Sequence, residues 1–192
     1  MKTTVISTAI ALALGLAVSG SYAQTQRPPV NPDEAVHPGN QTSRVVDRDP
    51  IEAEDFVEEV SAKNLAEIDS AKMALEEGGP AVKAYANRII QDHTELNREI
   101  RVIASNANLV VSDSATLTDK AKALMLSVRD GQNFDEAYAE AQITGHENSI
   151  ELYERAIVSD NEAIAAYAAE RLPVLHEHLR MAQALKTQIS SR

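Results

Sequence analysis

The chain has 192 residues, a formal net charge of −11, and no cysteine or tryptophan. So acidic a chain repels nucleic acid and anionic lipid, and without cysteine it has neither a disulfide frame nor a thiolate for catalysis or lipid attachment. Its stability must come from packing one sizeable domain.

Lys2 precedes an apolar run from Val5 to Val18, which the small residues Ser19, Gly20, Ser21 and Ala23 follow. Ser21 and Ala23 fit the small-x-small rule of secretory cleavage, so residues 1–23 are expected to be a signal peptide and the mature protein periplasmic or secreted. The apolar run is too short for a comfortable bilayer crossing, and no integral membrane span is expected after cleavage. Residues 24–50 hold five of the seven prolines, including Pro28, Pro29, Pro32 and Pro38, with little apolar periodicity. They are expected to form a proline-rich flexible arm. The folded domain is expected over residues 51–192.

Between Glu52 and Glu77, Val57, Val60, Asn64, Ile68, Ala71 and Leu75 recur at helical spacing. Glu52, Glu54, Asp55, Glu58 and Glu59 crowd the first turns, where the helix dipole favours anions. Gly78, Gly79 and Pro80 end this helix and begin the next, and so short a turn makes the two antiparallel neighbours. The second helix, Ala81 to Asn106, carries the seam Val82, Ala86, Ile89, His93, Leu96, Ile100, Ile103, which places His93 in the core. The pattern then weakens, and a short helix is expected from Thr118 to Arg129 within a connection long enough to cross the molecule. Asn133 is expected to cap a third long helix, Phe134 to Val158, with the seam Ala139, Ile143, His146, Ile150, Tyr153, Ile157. A fourth follows from Glu162 to Ser190 along Ile164, Ala168, Leu172, Leu175, His178, Ala182, Leu185, Ile189. Pro173 lies inside it and should bend it. His176 and His178 project to opposite sides, and the seam favours His178 for the core. The fold class is therefore all-α, a four-helix bundle with a short extra helix between helices 2 and 3.

At 1.5 Å per residue, Glu67 and His93 lie roughly 16–20 Å from the turn joining their helices, and His146 and His178 roughly 21–25 Å from theirs. Four inward polar groups at one level, a carboxylate and three imidazoles, suit Zn, Fe or Cu. Glu67, His93, His146 and His178 are the candidate metal ligands, with Ile68 competing with Glu67 for the inward position. Asp92, Gln142 and Glu95 are candidates to orient the rings or replace a ligand. The alternative is that the histidines are structural, satisfied by one another, by Gln142, by Asn64 or by water. Tyr85, Tyr138, Tyr153 and Tyr167 are expected to pack as bundle aromatics with their hydroxyls at a wet edge, the alternative being redox-active neighbours of a metal. No glycine-rich phosphate loop and no nucleophile motif is present, so no catalytic residue is assigned.

The blocks Phe56-Val57, Asn64 to Ile68, Val82 to Ala86, Asp92-His93, Phe134 to Tyr138, Ala141-Gln142 with His146, and Leu172 to Leu179 resemble, in order and spacing, the bacterial domain of unknown function 4142 family. The resemblance covers nearly all of Ile51 to Ile189. It implies a ferritin-like four-helix fold and an exported protein, often labelled an outer-membrane one. Ferritin-like di-iron proteins carry Glu-x-x-His on two helices and a further Glu on each of the others. Here Ile90, Ile143 and Leu175 stand three residues before the histidines, so a histidine-rich mononuclear site fits better than a di-iron one. Two functions stay open: a metal carrier, buffer or metal-dependent oxidoreductase in redox or stress protection, and a non-catalytic envelope or stress-response protein acting on an envelope partner through its surface.

Overall fold

The computed structural model describes residues 49–191. The expected signal peptide (1–23) and all but Asp49 and Pro50 of the expected arm (24–50) lie outside them. The described residues form five helices and no strand: α1 Ala53–Glu77, α2 Pro80–Ala107, α3 Leu117–Ser127, α4 Gly131–Ala156 and α5 Glu162–Ser190. None is long and apolar enough to cross a membrane. Along their lengths α1 packs on α2 and α4 on α5; contacts of α2 with α5 and of α1 with α4 join the two pairs, and α3 rests on α1 and α4.

Local chemistry sets most of the ends. Pro80 opens α2, where its missing N–H is harmless. Thr116 caps α3 reciprocally: its Oγ1 accepts from Asp119 N at 3.1 Å and donates to Asp119 Oδ2 at 2.7 Å. Asn161 Oδ1 caps α5 by accepting from Ala163 N and Ile164 N at 3.1 and 3.2 Å. The start of α4 differs from expectation. Asn133 is not its cap; the helix begins at Gly131, and the Asp130 carbonyl accepts from Phe134 N at 3.1 Å. Gly131 sits at φ +51°, a left-handed conformation that lets the chain turn straight into the helix three residues early. Pro173 lies inside α5, which continues through it.

Gly79 N donates to Asp135 Oδ1 at 2.8 Å, so α2 and α4 start at the same end. Because α2 ends at the other end, residues 108–130 return along the molecule, and α3 occupies that crossing.

Burial follows the seams. Val82, Ala86, Ile89, His93, Leu96 and Ile100 are all buried on α2, and every residue of the α5 seam is buried except the half-buried Leu172. The apolar side chains gather into two clusters. One holds Phe56, Val60, Leu96, Ile100, Tyr153, Ile164 and Leu175. The other holds Ala74, Val82, Ile89, Phe134, Tyr138, Leu185 and Ile189. Along each long helix, buried polar residues fall between the two: Asn64 on α1, His93 on α2, Gln142 and His146 on α4, His178 on α5. Each fully buried large apolar side chain contributes about 1.5–3 kcal/mol, so the clusters can carry a polar belt that favours folding little. The tyrosines also differ from expectation, since all four are buried rather than at a wet edge. Their rings are part of the clusters, as in the edge-on contact of Phe56 with Tyr153 at 5.2 Å between centroids.

Candidate metal centre

His93, His146 and His178 converge from α2, α4 and α5, with exposures of 3%, 0% and 0%. Their ring centroids are 5.2–5.6 Å apart, and one nitrogen from each lies within 4.8 Å of the others. The three buried histidines could together hold a metal ion. His176, two residues from His178, is exposed.

The hydrogen bonds decide which nitrogen of each ring carries the proton. His93 Nδ1 faces Asn64 Oδ1 at 3.0 Å, His146 Nδ1 faces the Gln142 main-chain carbonyl at 2.8 Å, and His178 Nε2 faces Asp92 Oδ2 at 2.7 Å. All three oxygens can only accept, so each of these nitrogens donates an N–H. The nitrogens left over, His93 Nε2, His146 Nε2 and His178 Nδ1, therefore carry lone pairs; all are buried, and none has a hydrogen-bond partner among the described residues. An oxygen acceptor behind each imidazole is how metal-binding histidines are held in one tautomer and orientation.

Burial pushes the pKa of His93 well below its ordinary 6.5, and the neighbouring His146 and His178 lower it further. Burial also lowers that of His178, against the opposing pull of the Asp92 carboxylate. Both histidines thus bind protons less readily folded than unfolded, so their contribution to stability is complete above about pH 6.5 and is lost as the pH falls. In chelator, the melting temperature should drop between about pH 7 and about pH 5. Circular dichroism melts checking this would contradict the burial of neutral imidazoles if the profile were flat.

Of the other expected site residues, Asp92 orients His178, and the same Oδ2 accepts from Arg88 Nε at 2.5 Å on the outer side. Gln142 acts on His146 through its backbone. Its side chain accepts from Tyr85 Oη at 3.0 Å and donates from Nε2 to Glu67 Oε2 at 2.7 Å. Glu67 thus meets Gln142 and is not one of the converging donors. Its charge adds to burial in raising the pKa of Tyr85 and Tyr138, which places it near both hydroxyls. Glu95 is exposed and paired with Arg98 at 2.5 Å. The roles of Arg88 and Tyr85 were not expected. Arg88 had a signal, standing four residues before Asp92 on one helix, whereas the pairing of Tyr85 with Gln142 spans 57 residues and has none.

No curated protein and no solved structure matches the chain. Residues 40–185 match the family described as Domain of unknown function (DUF4142), and the chain belongs to that family.

Proposed function

We propose that the protein is an exported, ferritin-like four-helix bundle that binds one transition-metal ion through His93, His146 and His178. Asn64, Asp92 and the Gln142 carbonyl orient the rings. The observation that carries this reading is the set of three buried lone pairs without a donor. Each buried unpaired polar atom costs about 1–3 kcal/mol, while a whole domain is stable by only about 5–15 kcal/mol. Purely structural histidines would need trapped water to meet these lone pairs, whereas one cation bound by three nitrogens meets them together. Neutral imidazoles suit Zn, Fe or Cu, and three of them leave a fourth position for water or a small substrate. That arrangement supports a role as metal carrier or buffer, or in redox or stress protection.

The experiment is elemental analysis of the protein purified without a histidine tag and dialysed against metal-free buffer after loading. One retained transition-metal ion per chain is expected; retention no greater than in a protein lacking all three histidines would overturn the reading. Export is proposed from the stretch Val5 to Val18 and the small residues Ser21 and Ala23. N-terminal sequencing of the protein from the cell envelope should begin at Gln24, and an intact Met1 there would count against it.

A further inference from the structure

Histidines this deeply buried need a route by which a cation reaches them. A groove of about 500 Å³ lies under α3, walled by α1, α3 and α4, and lined by Ala66, Glu67, Leu126, Ala141, Gln142 and Gly145 among others. Leu126 is the one buried side chain of α3, so this helix is lightly held over the groove. The other carboxylates on the groove walls are paired with cations, Asp119 with Lys122 and Glu140 with Lys186; Arg129, also on the wall, donates to the Met125 carbonyl and keeps its charge. Glu67 is different. It receives the neutral Gln142 amide, and among the described residues no Lys or Arg pairs with it.

Gln142 links this carboxylate to the histidines, because its side chain holds Glu67 and its carbonyl holds His146. Gly145, next to His146, leaves the carboxylate room against α4; a Cβ there would lie 2.9 Å from Glu67 Oε1. The opposite approach, past Asp92, is guarded by the Arg88 guanidinium, which neutralises that carboxylate and repels a cation.

Resting on the metal-site reading above, we propose that the groove under α3 is the port through which a divalent cation reaches the three histidines, with Glu67 as the transit ligand that captures it. Glu67 binds the ion transiently, and the Gln142 amide, held among the described residues by its hydrogen bonds with Tyr85 and Glu67, swings aside to pass it inward. A residue on the route but outside the final site changes the rates of loading and release together and leaves the equilibrium alone.

The test uses Co²⁺ as a coloured probe, with stopped-flow loading and chelator-driven release on the wild type, Glu67→Gln and Ala141→Phe, the last narrowing the groove from α4. Loss of the carboxylate should slow loading and release by on the order of tenfold, with stoichiometry and the bound Co²⁺ spectrum unchanged. Ala141→Phe should slow both as well. Unchanged rates in both variants would overturn the port. A weakened equilibrium affinity with an altered Co²⁺ spectrum in Glu67→Gln would also overturn it, by making Glu67 a ligand of the final site. A wild type that takes up no Co²⁺ at all would instead remove the metal-site reading, and the port with it.

Discussion

Loading the metal-free protein with Zn²⁺ or Cu²⁺ should raise its melting temperature by about 10 °C, and excess chelator should reverse the rise. An ion that binds only the folded chain, at a free concentration a thousand times its dissociation constant, stabilises by about 4 kcal/mol. In a domain of this size each kcal/mol shifts the midpoint by about 2–4 °C. The shift is specific to the proposed site, because in the unfolded chain His93, His146 and His178 are far apart and bind weakly. Mg²⁺, which prefers oxygen ligands, should leave the midpoint where it was. A melting temperature indifferent to every transition metal would remove the stabilising ion from the polar belt.

Replacing His146 by leucine should abolish metal binding while leaving the metal-free fold as stable or more stable, by about 1 kcal/mol. The side chain lost is completely buried and presents an unpartnered Nε2. The acceptor it abandons, the Gln142 carbonyl, still receives the helical bond from the backbone four residues on, so no new orphan is made. Leucine is close in volume and adds apolar burial between the two hydrophobic clusters. A structural histidine predicts the reverse, a loss of stability with nothing gained. Chemical denaturation in chelator, read beside metal retention, separates the two outcomes. Substituting His93 is a less clean test, since it would strip Asn64 Oδ1 of its partner.

The helices and the histidine belt were legible because both depend on spacing alone. His93, His146 and His178 each replace an apolar residue on a four-three seam, and distance along a helix is proportional to residue count. The observed α5, Glu162–Ser190, agrees with its expected limits because Asn161 is a strong cap. The beginning of α4 was not legible: a positive φ at Gly131 has no periodic signature, and Asn133 offered a better-looking cap that the chain leaves exposed. Glu67 shows a second limit. Depth along the helix put it level with the histidines, but depth says nothing of rotation about the axis. Its carboxylate lies on the α4 side, in the grip of Gln142. The wet edge expected for the tyrosines failed similarly, because a hydroxyl finds its partner across the core, as Tyr167 does with the Leu96 carbonyl at 3.1 Å. Those contacts belong to the packing of separate helices, which one-dimensional spacing does not encode.

The binding of one ion by three buried histidines is tested most directly by a crystal structure of the loaded protein, with anomalous scattering recorded on either side of the metal's absorption edge. The account predicts one strong anomalous peak enclosed by His93 Nε2, His146 Nε2 and His178 Nδ1, at about 2.0–2.1 Å from each nitrogen if the ion is zinc. Peaks confined to surface carboxylates, with the three imidazoles bridged only by water, would contradict it.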